Sequence, residues 1–205
     1  GRGMIIDGKP LKSMNQYFNK KLAKMKSDND ALLDKELNRK VETQRHHITR
    51  NIERLCRKRR NKVKDYLHKA SCRIFDYAAS NDITTIVVGK NVGWKQECDM
   101  GARNNQIFVQ IPHAKFIDIL TYKARARGIM LVTTEESYTS KCSFIDNEEM
   151  CHHEQYMGKR IKRGLFRTKE GRLINADLNG ALNIIRKVVP NAFAEGIEAV
   201  VVPPA

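Results

Sequence analysis

Apolar residues recur at three- and four-residue spacing through the N-terminal part of the chain. Met14, Tyr17, Phe18, Leu22 and Met25 share one helical face, and Leu32, Leu33 and Leu37 continue it less regularly. A second stripe, Ile48, Ile52, Leu55, Val63, Tyr66, Leu67, Ile74 and Phe75, predicts a longer helix from Val41 to Ser80. Neither segment contains proline, and the simplest arrangement is a helical hairpin over 12–80. Coiled-coil dimerisation is the alternative, disfavoured because Arg59 interrupts the stripe. Ahead of both helices, Met4-Ile5-Ile6 followed by Asp7-Gly8 reads as a strand entering a tight turn.

Beyond Ser80 the pattern changes. Thr84-Thr85-Ile86-Val87-Val88 is short, apolar and β-branched and stops at Gly89, as a strand buried on both faces does. A polar loop from Lys90 to Asn105 carries Trp94. A helix is expected from Pro112 to Arg127, with proline in its first turn and Gly128 as its stop. Ile129-Met130-Leu131-Val132 is the next strand. Strand, helix, strand in this order implies a βαβ unit, so the fold class is α/β. The charged stretch Asn147–Arg172 reads as a loop or an ordered surface excursion, and a last helix is expected over Ala176–Val188, before Pro190 and an apolar tail, Val200–Val202.

Charge narrows the partners. Of 205 residues, 38 are Lys or Arg and 23 Asp or Glu, a net +15. An excess this large points to a polyanion. No stretch approaches the roughly 18 apolar residues of a membrane-spanning helix, so nucleic acid is the expected partner and a membrane is not. Five scattered cysteines suit a reducing cytoplasm rather than a disulfide framework. Arg54, Arg57, Lys58, Arg59 and Arg60 crowd the long helix. Lys159, Arg160, Lys162 and Arg163 form a second cluster with Gly164 and Phe166 interleaved. Few acids accompany either run, which favours phosphate contact over a merely solvated face. Trp94 with Lys90 and Lys95 is a weaker candidate for base stacking.

Two carboxylates sit where sites gather in open α/β sheets. Glu136 lies just past a strand, and Asp177 opens the last helix. Converging acids of this kind hold divalent metal for phosphodiester chemistry. Asp177 is equally an ordinary helix-start acid, and Glu136 an ordinary loop acid with Glu135 as its twin. Cys142 and Cys151-His152-His153 supply enough ligands for zinc, but their spacing suits one tetrahedron poorly, so a zinc-free loop is expected.

The words Glu136-Ser137-Tyr138-Thr139-Ser140-Lys141 and Asn175-Ala176-Asp177-Leu178-Asn179-Gly180-Ala181, with Gly8-Lys9-Pro10-Leu11-Lys12-Ser13 far upstream, carry a resemblance. The chain resembles the C-terminal part of TnpB-type (OrfB family) proteins, the RNA-guided DNA nucleases of insertion sequences. The resemblance runs from Gly8 to the C-terminus. It implies a RuvC-like domain of the RNase H fold over 1–205, partial at its N-terminal edge, with the 12–80 hairpin inserted and a degenerate zinc-ribbon position at 142–172. It further implies magnesium, a guide RNA and target DNA, and a bacterial or similar cytoplasm with nucleoid association. The family's usual middle acid falls at Gly89, and some relatives carry a glutamate just before Tyr-Thr-Ser instead. Glu136 is then the expected substitute, Asp177 the last acid and Glu135 a weaker candidate. The family's first aspartate is expected upstream of Gly1, and Asp7 is expected to be a turn residue. The chain is thus expected to begin inside a longer frame, or to be translated from Met4, and to be inactive alone. A non-catalytic nucleic-acid-binding remnant or repressor on the same scaffold is the other reading.

Overall fold

The structure, a computed structural model, describes residues 4–37, 49–90 and 111–193, with only the backbone over 32–37. The predicted helical start at Val41–Ile48, most of the Lys90–Asn105 loop with Trp94 and Lys95, and the Val200–Val202 tail lie outside the described residues. Two compact units form, one of residues 7–77 and 98–119, the other of 1–6, 78–97 and 120–205.

In the first unit, helix α1 (Lys9–Leu37) begins where the Asp7 carboxylate accepts the Lys9 amide at 2.9 Å, with Pro10 in its first turn. Asp7 therefore opens a helix and does not close a hairpin. Met4–Ile6 forms no strand; among the described residues no strand pairs with it, and Met4 and Ile5 are exposed. A strand needs a partner for its backbone ladder, and apolar composition alone does not supply one. Thr49 opens helix α2 (Arg50–Ser80), its hydroxyl accepting the Ile52 amide at 3.3 Å.

Leu11, Asn15 and Phe18 form the buried face of α1, and Ile52, Val63, Leu67, Ala70 and Phe75 lead that of α2. Tyr17, read above as part of the stripe, is exposed at 62%, with Lys21 over its ring. Leu11 packs with Val63, Leu67 and Ile119, and Phe18 meets Arg59, so α1 and α2 run antiparallel. Arg59 sits in register with Ile52 and Val63, where a core residue belongs. Its Nε donates to Asn15 Oδ1 at 2.8 Å and its guanidinium carbon lies 4.9 Å from the centre of the Phe18 ring. The interruption in the α2 stripe is thus matched by a buried asparagine on α1.

In the second unit, β1 (Thr85–Gly89) and β2 (Met130–Thr134) pair in parallel, with Thr85 opposite Met130 and Gly89 opposite Thr134. Helix α3 (His113–Ala126) lies between them in sequence. Gly128, at φ 67°, ends it in a Schellman turn: Ile129 N donates to Ala124 O at 3.0 Å and Gly128 N to Arg125 O at 3.3 Å. The expected strand, helix and strand are present, but all five residues of β1 are half-buried rather than enclosed on both faces.

The charged stretch before the last helix is more regular than its composition suggests. It holds β3 (Lys159–Lys162) and β4 (Leu165–Arg167), and β5 (Leu173–Asn175) follows; the three make an antiparallel sheet in the order β3-β4-β5. β3 is exposed throughout, while β4 and β5 each send one apolar side chain inward, Phe166 and Ile174. These pack with Phe144, Ala176 and Leu182. Helix α4 occupies Ala176–Val188, as expected, and lies against both β1 and β2. The α/β class holds for the described chain.

Candidate functional site

The Glu136 side chain fills the space above Gly89. An ideal Cβ on Gly89 would stand 2.7 Å from Glu136 Cδ, and closer still to its Cγ and Oε1. Any larger residue at 89 would have to displace that side chain. The carboxyl of Glu136 thus occupies the end of β1 from a position two residues beyond the end of β2. Burial raises its pKa above the ordinary glutamate value.

Its twin has a different environment. Glu135 accepts from the Ser137 hydroxyl and pairs with Lys187, Nζ to Oε2 at 3.5 Å. The same ammonium donates to Glu135 O at 3.2 Å and Ser137 O at 3.0 Å. The chain then turns sharply: Tyr138 adopts φ 64°, uncommon for a bulky residue, and its carbonyl accepts the amides of Lys141 and Cys142, each at 3.0 Å.

Helix α4 holds this turn with polar side chains. Asn183 Nδ2 donates to Thr139 O at 2.9 Å and to Cys142 O at 2.8 Å. Asn179 Nδ2 donates to Cys142 O at 2.9 Å, and its Oδ1 accepts the Phe144 amide at 2.9 Å. Both asparagines are fully buried. Buried Glu148 closes the far side, accepting Ser143 N at 2.6 Å and Met157 N at 2.8 Å. Asn183, Glu148 and Lys187 are functional positions that the sequence pattern does not single out. Asparagines four apart inside an apolar helix are the one signal that was legible.

Asp177 lies in the first turn of α4, where Asn175 Oδ1 accepts the amides of Asp177 (2.9 Å) and Leu178 (3.1 Å). Its side chain is 80% exposed and meets Arg160 Nη2 at 3.4 Å. This joins one predicted acid to one predicted phosphate ligand; a pair so exposed adds little stability. Glu136 and Asp177 belong to the same unit. Among the described residues no three His, Cys, Asp or Glu side chains group to hold a metal ion. Cys142 is buried, its thiol 3.3 Å from Glu149 O, while Cys151 Sγ lies 3.4 Å from His153 Nε2.

The basic clusters divide by exposure. Arg54, Arg57, Lys58 and Arg60 are exposed on α2, whereas Arg59 is half-buried against α1. A groove of about 1010 Å³ beside them is lined by Lys26, Arg50, Arg54, Arg57, Arg59 and Arg60, with Glu53 the one acid among the described lining residues. Lys159, Arg160, Lys162 and Arg163 are exposed at the β3–β4 hairpin. Among the described residues no helix is long and apolar enough to cross a membrane.

Comparisons with known proteins match both the N-terminal and the C-terminal parts of the chain. Residues 1–95 match the OrfB family model described as "Probable transposase". Residues 113–184 match the Cas12f1-like TNB domain. The TnpB-like protein ORF457 of Acidianus two-tailed virus is 24% identical over 189 residues, 92% of this chain and 38% of that protein. Among solved structures, a Cas12f1–sgRNA–target DNA complex contains a chain that superposes with a TM-score of 0.51 at 22% identity. That match covers 82% of this chain and 40% of the other, which likens the folds. The chain therefore spans about two fifths of the length of each of these relatives. Together these matches support a likeness to TnpB-type proteins.

Proposed function

We propose that the chain is the C-terminal portion of a transposon-encoded, RNA-guided, metal-dependent DNA endonuclease, inactive alone. We read its β1–β2 unit as part of an RNase H-like, RuvC-like sheet and the α1–α2 pair as an inserted hairpin. The observation that carries this reading is the Glu136 carboxyl lying over Gly89 at the end of two parallel strands. That is the place from which an acid on β1 would act, and Glu136 reaches it from the other strand. Glu136 and Asp177 present hard oxygen donors of the kind magnesium prefers, and they would be its ligands. Bound there, the metal would activate water and stabilise the leaving oxygen. In this reading a further carboxylate from outside the chain completes the set. Zinc plays no part in it.

The chain's own residues do the binding and the orienting. Exposed cations on α2 and at the β3–β4 hairpin contact phosphates of guide RNA and DNA. The structural neighbour is itself a complex with sgRNA and target DNA, which supports these partners. Arg59, committed to Asn15, contributes to the helix pair instead.

The test is complementation. An N-terminal segment supplying the first aspartate is fused to the chain, a cognate guide RNA is added, and magnesium-dependent DNA cleavage is measured. Cleavage should appear, and Asp177→Ala should abolish it while guide RNA still binds. RNA binding without cleavage under any such fusion would favour the non-catalytic remnant.

A further inference from the structure

We infer that Lys187 is a positioning residue that decides which of the adjacent acids, Glu135 or Glu136, is presented over Gly89. The placement stands on geometry alone, and its consequence for metal binding rests on the function proposed above. An ammonium has three donors, and all three contacts here fall on one short segment. They are the carbonyls of Glu135 and Ser137 and the Glu135 carboxylate. The Glu135 carbonyl lies in the peptide plane just before Glu136 and the Ser137 carbonyl in the second plane after it, so Lys187 holds the segment on either side of Glu136. Glu135 is drawn to Lys187 while the neighbouring Glu136 carboxyl lies over Gly89, so the two adjacent acids are presented to different places.

Lys187 is placed to do this by the helix it ends. It follows Asn183 and Asn179 at four-residue spacing, so the three share one face of α4. Asn179 and Asn183 bond the turn up to Cys142 and Phe144, and Lys187 bonds its beginning. The Lys187 side chain is only 20% exposed, whereas Glu135 is 62% exposed. The lysine is the fixed partner, and the acid comes to it.

The experiment is nuclear magnetic resonance on the whole labelled chain. In the wild type, the Glu136 Hγ protons should show a cross-relaxation peak to the Gly89 Hα protons. Lys187→Met keeps the stem and removes the donors; it should lose this peak while the Phe144 amide, bonded to Asn179, stays in place. Lys187→Arg restores donors and should restore the peak. A peak that survives Lys187→Met, that is missing from the wild type, or that Lys187→Arg fails to restore overturns the inference. A manganese titration of the same samples separates it from the functional proposal. Manganese should broaden the Glu136 signals in the wild type, and Lys187→Met should raise the concentration needed about tenfold. No broadening in a wild type whose Glu136–Gly89 peak behaves as expected would remove the metal reading and leave the positioning intact.

Discussion

The helix pair and the acid-bearing unit both bury polar groups, and they bond them differently. In the pair, Arg59 bonds the side chain of Asn15 across an otherwise apolar seam. In the acid-bearing unit, Asn179, Asn183 and Glu148 bond backbone amides and carbonyls. The difference sets what each region tolerates. A side-chain pair can be replaced as a pair by apolar residues of similar size. A backbone group cannot be mutated away, so losing its side-chain partner leaves it buried and unsatisfied. The first region is held by a contact that is exchangeable, and the second by contacts that are not.

The largest effect should come from Asn179→Ala. It strands the Phe144 amide and removes one partner of the Cys142 carbonyl, costing about 3 kcal/mol in urea denaturation. A loss below about 1 kcal/mol would break the comparison. Arg59→Met alone should cost about 2 kcal/mol, because Asn15 is left buried without its partner. Adding Asn15→Leu should recover most of that loss. If the double variant is no better than the single one, the seam is not exchangeable.

Smaller effects sharpen the site. Burial raises the Glu136 pKa, so the fold favours the protonated acid. Its contribution to stability is full below the ordinary carboxylate range and is lost as pH rises through the raised value. Without added metal, Glu136→Gln should therefore raise the melting temperature at neutral pH and have no such advantage in acid. Equal shifts at both pH values would show that the carboxyl is not buried. Gly89→Ala should change stability least, by no more than about 0.5 kcal/mol, because the Glu136 side chain can swing aside. The change should appear as lost proximity between residues 89 and 136, and a large destabilisation would mean that the close approach is rigid.

The helices, the parallel pair and the last helix were legible because their apolar periods are long or their stops sharp. The Ala176–Val188 range needed only Asp177 and Pro190 to mark it. The β3–β5 sheet was not legible, since two short strands bury one apolar side chain each and β3 buries none. Tyr17 matched the helical period yet faces solvent, because an aromatic ring at the edge of a stripe can lie either way. The candidate acids were visible as residues, but their environments were not. Glu135 and Glu136 differ through Lys187, some 50 positions away, and through the missing side chain of Gly89. Neither relation leaves a local pattern.

The most direct measurement is DNA cleavage by the complemented nuclease, with Glu136→Gln and Glu135→Gln compared side by side under one guide RNA and saturating magnesium. Glu136→Gln should abolish cleavage and retain RNA binding, while Glu135→Gln should leave substantial activity. Cleavage that survives Glu136→Gln and disappears with Glu135→Gln would contradict the account.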